Sequence, residues 1–581
     1  MRKYRWITGL VVMVVMVILS VGSVTAQNQT DQTFEVLKNL DIYSNLIKEL
    51  NAEYVDEIQP GELTKTAIDA MLESLDPYTN FIPESEVEDY KFITTGQYGG
   101  IGALIHQQGD YVVISEPYEG SPAQKSDLRA GDKIYQVNGQ VAKGKTYDEV
   151  SAILKGQAGT TVTLQVLRDG VDQPIEKTIT RENIKIENIP FTGMVADGIG
   201  YIKLNSFTQN AGKEVKQAFL KLRENNTLKG MIIDLRGNGG GLLNEAVDIS
   251  NIFVDKGQEI VTTKGKVQDK NRTYKTLYPV TDDKIPLVIL VDRLSASASE
   301  ILSGSIQDLD RGVIIGQRTF GKGLVQNVVP LSYNAQMKIT VAKYYIPSGR
   351  CIQAIDYSHK DGNGHSSKIP DSLIREFSTS KGRKVYDGGG IDPDLVTKRR
   401  QFSNIALSLY GKYLIFDYAT RFQQTHQAIP APGQFTVSDS VFNDFVTFVN
   451  GKNFDYSTNS EKTLEVLMEE TKKENYYDAI KEELDHLKEQ MIQDKKADIN
   501  KYKDQVKYLL KLEIVTRYYY QKGKAEASLD NDEDLALAIA TIRDPKRYQD
   551  ILTGKYIQPK EEREQAMSGD DEDDIEPIET E

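Results

Sequence analysis

The sequence predicts a multidomain chain of mixed α/β and α+β class, with an α/β core, a β-rich module inserted ahead of it, and helical regions on both flanks. Three observations carry that expectation. The chain has 581 residues, too many for one ordinary hydrophobic core. Across 182–400, apolar runs alternate with a helical pattern. "GIGYIKL", "GMIIDLR", "PLVILVD" and "GVIIGQ" read as strands buried on both faces, and "TQNAGKEVKQAFLKLRENN" reads as the helix between the first two. Across 96–181 the texture changes to short β-like runs, such as "YVVISEP" and "TVTLQVLRDG", broken by Gly-rich turns.

The flanks follow in order. Arg2, Lys3 and Arg5 precede an apolar stretch from Ile7 to Leu19, and small residues from Ser23 to Ala26 offer a cleavage point. This is the pattern of an export signal over 1–26, with an uncleaved anchor as the alternative, and it implies a periplasmic chain. Residues 27–95 are expected to be helical, because Phe34, Leu37, Leu40, Ile47 and Leu50 recur near helical spacing. Residues 401–555 have long-helix composition and read as a solvated helical packing region. From 556 the chain is expected to be a disordered acidic tail, its last thirteen residues carrying eight acids and no base. Apolar content of 39% and charged content of 27% are otherwise globular values. A net charge of −15 argues against a nucleic-acid partner, which requires clustered Lys and Arg. The single cysteine, Cys351, can form neither an internal disulfide nor a multi-cysteine metal site.

"VIIGQRTFGKGLVQ", 313–326, contains seven of the eight positions of a nucleotide phosphate loop. The eighth should be a hydroxyl residue for magnesium, and here it is Gly323. The segment that follows, "GLVQNVVPL", is rich in β-branched residues and reads as a strand rather than the required helix. Lys322 therefore needs another chemistry. A lysine that loses hydration can become a neutral base. "DRLSASASEI", 292–301, offers several serine hydroxyls just after an apolar strand, either as nucleophiles or as caps of the helix that follows. None of the five histidines, at 106, 359, 365, 426 and 486, stands at the end of a core strand, so a Ser-His-Asp arrangement is not expected.

Taken together, "SASASEILSG", "GQRTFGKGLVQ", "DLRGNGGGLL", "AEYVDEIQPGELTKTAIDAMLESLDPYTNFIPESE", "GQYGGIGALI", "AKYYIPSGRCIQ" and "GGGIDPDLV" closely resemble the carboxy-terminal processing, or tail-specific, proteases over about 45–400. These are serine peptidases with a Ser-Lys dyad and an inserted PDZ domain. The resemblance implies Ser297 as nucleophile, Lys322 as base and Gln326 as the residue that orients it. It implies an oxyanion hole formed by backbone N–H groups of Ala298 and of Gly240 or Gly241. It implies a PDZ carboxylate loop over Tyr98–Gly102, with Gly99, Gly100, Ile101 and Gly102 in it. Val150 and Leu154 of the following helix are expected as groove residues. The substrates implied are proteins or peptides with accessible C-termini, and neither metal nor cofactor is implied. The competing reading is a non-catalytic PDZ scaffold, which would lack Ser297 or Lys322. Both are present.

Overall fold

A computed structural model describes residues 33–361, 364–452 and 454–567. The signal expected over 1–26 and the acid-rich stretch from 569 lie outside the described residues. The chain divides into two compact units, 1–81 and 82–581.

In the first unit, a helix at 33–53 and the helix Pro60–Glu73 follow the expected apolar spacing. Pro60 opens the second helix at a position that has no intrahelical donor to lose. Asp76 then folds the chain into a turn, its carboxylate accepting from the N–H groups of Tyr78 (2.8 Å) and Thr79 (2.9 Å).

The second unit is built on a six-stranded sheet in the order Phe191–Ala196, Ile199–Lys203, Gly230–Asp234, Leu287–Val291, Val313–Gly316, Leu395–Val396. The first pair is antiparallel and the remaining pairs are parallel. Alternate residues serve two cores. Ile233, Ile289 and Ile314 face the helices Ala211–Asn225, Leu243–Phe253 and Ala298–Asp308. Ile232, Val288, Leu290, Val313 and Ile315 pack instead with Leu535, Ala538, Ile542 and Tyr548, from the helices Glu533–Arg543 and Pro545–Leu552. This is why the strands read as unbroken apolar runs. It also changes the expected division at residue 400. The last part of the segment expected to be a solvated helical region is one wall of the core, because a parallel sheet must be covered on both faces. The segment expected to be a tail from 556 includes a further helix, Lys560–Met567.

The strands Gln97–Gly100 and Glu182–Lys185 pair antiparallel on either side of the inserted module. Within the module, Ala103–Gln108 is an edge strand, followed across the sheet by Tyr111–Pro117, Lys133–Val137, Thr161–Leu167 and Ile175–Thr180. Between the core strands and the covering pair of helices, five helices, Asn404–Gly411, Leu414–Thr425, Asp439–Asn450, Tyr477–Lys501 and Lys503–Ala527, build a separate apolar cluster.

Three loops at the carboxyl ends of the parallel strands, 235–241, 292–297 and 317–323, come together. In open α/β sheets this is the end where ligands bind. At the opposite end, Tyr548 closes the sheet. Its hydroxyl accepts the Leu287 N–H (2.9 Å) and donates to the Leu287 carbonyl (3.0 Å). Tyr548→Phe would take the acceptor away from the buried Leu287 N–H, so we expect it to lower stability by about 1–3 kcal/mol, read as a shift of the urea midpoint.

Candidate active site

The strand Leu287–Val291 ends in a turn that delivers Ser297 to the first turn of the helix Ala298–Asp308. Ser297 has φ +56° and ψ −112°, a conformation side-chain-bearing residues rarely adopt and which costs on the order of 1–3 kcal/mol. Such a residue persists only where its surroundings over-determine it, and here they do. The Ala296 N–H donates to the Asn238 carbonyl (3.1 Å), as does the Ser299 hydroxyl (2.8 Å). The Ser295 hydroxyl accepts from the Asp292 N–H (3.0 Å) and donates to the Leu235 carbonyl (2.9 Å). The side chains of Ser295 and Ser299 are fully buried in these structural roles.

Two buried side chains join Ser297 to Lys322. Glu300 is completely buried, and its carboxylate accepts four hydrogen bonds. Oε2 receives the Ser297 N–H (2.8 Å) and the Lys322 N–H (2.9 Å), while Oε1 receives the Thr319 hydroxyl (2.6 Å) and the Gly321 N–H (2.7 Å). One oxygen thus holds the main chain of both residues. From the carbonyl side, the Tyr344 hydroxyl lies 2.6 Å from the Lys322 carbonyl oxygen and 3.2 Å from that of Ser297. Neither Glu300 nor Tyr344 was among the residues the sequence reading singled out. Glu300 had a legible signal, since Ser297-x-x-Glu300 is a capping-box pattern in which the glutamate reaches back to the cap N–H. Tyr344, from the neighbouring strand Gln336–Tyr345, had none.

Lys322 precedes the strand Leu324–Pro330, which replaces the helix a phosphate loop would need. Gln326 sits on that strand just after a bulge, opposite Thr340. Its amide nitrogen donates to Thr340 Oγ1 (3.2 Å), which leaves Oε1 as the amide's acceptor.

The Gly-rich loop packs directly against the serine. A Cβ on Gly240 would lie 2.9 Å from Ser297 Cβ and 2.6 Å from the Ala296 carbonyl oxygen, so only glycine fits. Gly240 was one of two expected oxyanion donors. The structure corrects that expectation, because the Gly240 N–H already donates to Asn238 Oδ1 (2.9 Å). The bridge between Phe207 and Gly241 uses the Gly240 carbonyl and the Leu242 N–H, and the Gly241 N–H is outside it. Ala298 is the first residue of its helix, where N–H groups have no intrahelical acceptor.

In the inserted module, the main chain of 99–102 is tightly braced. The carbonyls of Gly99, Ile101 and Gly102 accept from the N–H groups of Gly156 (3.0 Å), Ala123 (2.8 Å) and Tyr118 (2.9 Å). Gly102 has φ +76°, and a Cβ there would lie 2.5 Å from Ser121 Cβ. A Cβ on Gly99 would lie 2.2 Å from the Gly156 carbonyl oxygen, and one on Gly100 would strike the Tyr98 ring at 2.7 Å. The expectation for Val150 and Leu154 is corrected. Both are buried in the module's own core with Val112, Ile114 and Leu164. A helix of eight residues beside a sheet spends its apolar side chains on that core. On the same helix Tyr147 is exposed and Ser151 is half-buried, and the two lie four residues apart on one face.

A strained serine at a strand-to-helix turn, tied to a lysine loop and a glycine loop, beside a small β-rich domain, is the arrangement of a serine-type peptidase with a PDZ domain. Comparison with known proteins agrees. The model of Peptidase family S41 matches 198–358, a PDZ domain matches 113–168, and "Probable PDZ-protease, C-terminal helical domain" matches 405–542. A carboxy-terminal-processing protease of Bartonella bacilliformis is 36% identical over 330 residues, covering 56% of this chain and 75% of that one. A probable CtpA-like serine protease of Staphylococcus aureus is 32% identical over 415 residues, covering 70% and 80%. The solved photosystem II D1 C-terminal processing protease is 29% identical, with a TM-score of 0.34, over 60% of this chain and 85% of that one. The chain belongs to the carboxy-terminal-processing proteases of Peptidase family S41.

Burial pushes the Glu300 carboxyl up to about 7, against the pull of its four donors. Between the unfolded value near 4.5 and that figure, the folded chain holds a proton the unfolded chain has lost. The stabilising contribution of this group is therefore complete below pH 4.5 and fades as pH rises to about 7. Glu300→Gln has no such proton. We expect the wild-type urea midpoint, relative to the variant's, to fall with rising pH across that window and to level off above it.

Proposed function

We propose that this protease cleaves peptide bonds by a Ser297–Lys322 dyad through an acyl-enzyme, and that its PDZ domain selects substrates by their free C-termini. The observation that carries the catalytic part is the single Glu300 oxygen that accepts the N–H groups of both residues. The neutral Lys322 amine takes the proton as Ser297 Oγ attacks the scissile carbonyl carbon. The developing oxyanion is stabilised by the N–H groups of Ala298 and Gly241. Collapse breaks the C–N bond, Lys322 returns the proton to the leaving amine, and water then hydrolyses the ester along the same path. Gln326 Oε1 accepts from the lysine amine and directs it without the charge that would keep it protonated.

Recognition rests on the edge strand Ala103–Gln108, whose outer side has no sheet partner among the described residues. An extended tail adds there as a further strand, with its carboxylate on the amides of Ile101 and Gly102. In this reading Tyr147 and Ser151, one turn apart on the helix Tyr147–Leu154, read the tail's side chains. The basic and apolar segment at 2–19 supports export to a periplasm. Among the described residues no helix is long and apolar enough to cross a membrane. The N-terminal sequence of protein recovered from the producing cell tests this: a start near Gln27 supports cleavage, and a retained Met1 in a cytoplasmic fraction contradicts export.

Ser297→Ala and Lys322→Ala should each cost roughly a thousandfold or more in kcat while the protein still folds, because the two groups act as one unit. Lys322→Arg should fail equally, since guanidinium does not give up its proton near neutral pH. An active arginine variant removes Lys322 as base. Amidating a substrate's C-terminus should raise KM with little change in kcat. Equal cleavage of acid and amide forms contradicts selection by the PDZ domain.

A further inference from the structure

We propose that Asp532 and Asp534, in the C-terminal helical domain, are positioning residues for catalysis: through the Arg236 guanidinium they hold the glycine loop that carries the Gly241 oxyanion donor. This rests on the dyad and oxyanion assignments above and adds a role for a region whose match gives only a helical domain.

Arg236 is the residue at which the loop leaves the strand Gly230–Asp234, and it is held on every side. Its N–H donates to Asp234 Oδ1 (2.8 Å), and its carbonyl accepts from the Lys203 amine. Its guanidinium pairs with three carboxylates. Nη2 donates to Asp234 Oδ2 (2.6 Å) and Asp532 Oδ2 (2.6 Å), and Nη1 donates to Asp532 Oδ1 (3.0 Å) and Asp534 Oδ2 (3.0 Å). The pairing with Asp532 is a two-point fork, which fixes direction as well as distance. The side chains are mostly sheltered, at 20% exposure for Arg236 and 10% for each of Asp532 and Asp534. Charge pairs this sheltered are far harder to break than surface pairs.

Both aspartates are themselves rigid. Asp532 caps the helix Glu533–Arg543 by accepting the Leu535 N–H (3.0 Å), and Asp534 lies in its first turn. That helix packs Leu535, Ala538 and Ile542 onto the catalytic sheet. On its other side, Arg236 begins the segment in which the Gly237 N–H donates to Asp292 (2.9 Å), Asn238 is wholly buried, and Gly240 touches Ser297. A cavity of about 680 Å³ runs alongside, between Asp292–Leu294 and the helix Lys503–Ala527, so this contact bridges an otherwise open cleft. An oxyanion N–H acts only when preorganised to a fraction of an ångström. A shift of Arg236 would be passed to it through the four intervening residues, 237–240.

The test uses the full chain carrying Asp532→Asn and Asp534→Asn together, which leaves Arg236 on Asp234. The expected result is a kcat lowered about tenfold to a hundredfold, with KM for a tail-bearing peptide within about twofold of wild type. Affinity for a peptide aldehyde, which forms a tetrahedral adduct on Ser297, should fall by the same factor as kcat. Binding of the uncleaved peptide to the Ser297→Ala form of the double variant should be unchanged. A merely structural pair would lower the thermal midpoint without moving the aldehyde affinity, and that result overturns the proposal, as does a kcat within about twofold of wild type or a loss confined to KM. If the double variant does not fold, Asp532→Asn alone carries the test. A parallel loss of at least about threefold in kcat and aldehyde affinity is then expected, and less than about twofold overturns it. Wild-type protein that forms no aldehyde adduct at Ser297 would sink the dyad assignment itself, and the proposal with it, whatever the aspartates do.

Discussion

The site depends on one buried carboxylate. Glu300 gathers the N–H of the serine, the N–H of the lysine and the two donors between them in the lysine loop, and it lies where no water competes for its oxygens. The serine and lysine are 25 residues apart in sequence and on different loops, so their relation is not set by local backbone preference. It is set by one desolvated carboxyl group whose two oxygens face four donors. The cost is visible in its raised pKa and in the left-handed φ of Ser297. Tyr344 completes the clamp from the carbonyl side. The backbones of Ser297 and Lys322 are thereby fixed.

The sheet supplies the platform on which that clamp works. Parallel strands end at one edge, so the glycine loop, the nucleophile turn and the lysine loop meet without long excursions. A parallel sheet is stable only when both faces are covered. One face is covered by the helices between the strands and the other by helices that arrive 217 residues after the strand Val313–Gly316 has ended (533 − 316 = 217). The C-terminal helical segment is thus part of the peptidase in a physical sense. Tyr548 satisfies the main chain of one core strand, and Asp532 and Asp534 grip the arginine at the root of the glycine loop.

Much of this was legible in the sequence. The unbroken apolar runs of "MIID" and "LVILV" gave the buried strands because period-two alternation vanishes when both faces are covered. The β-branched run after Lys322 predicted a strand and excluded a phosphate loop, and Leu324–Pro330 is that strand. Two short strands pair on either side of the module read at 96–181. What was not legible depends on contacts distant in sequence. Nothing near 535–552 says that its apolar face belongs to a sheet whose last strand, Leu395–Val396, ends 139 residues earlier (535 − 396 = 139). Val150 and Leu154 drew attention as pocket residues because they are apolar, and they are buried for the same reason. Gly240 and Gly241 are indistinguishable in sequence, and only the side chain of Asn238, folded back onto one of them, separates their amides.

The central claim is that Glu300 acts on the reaction by placing Lys322 against Ser297. A double-variant cycle tests it most directly, reading the second-order rate of Ser297 acylation by a fluorophosphonate in Glu300→Ala, Lys322→Ala and the pair, each checked for folding. If the carboxylate works through the lysine, the double variant reacts no more slowly than Lys322→Ala alone, because the function Glu300 serves has already been removed. Rate losses that multiply, with the double variant slower by the product of the two single effects, would show that Glu300 and Lys322 act independently and would contradict the account.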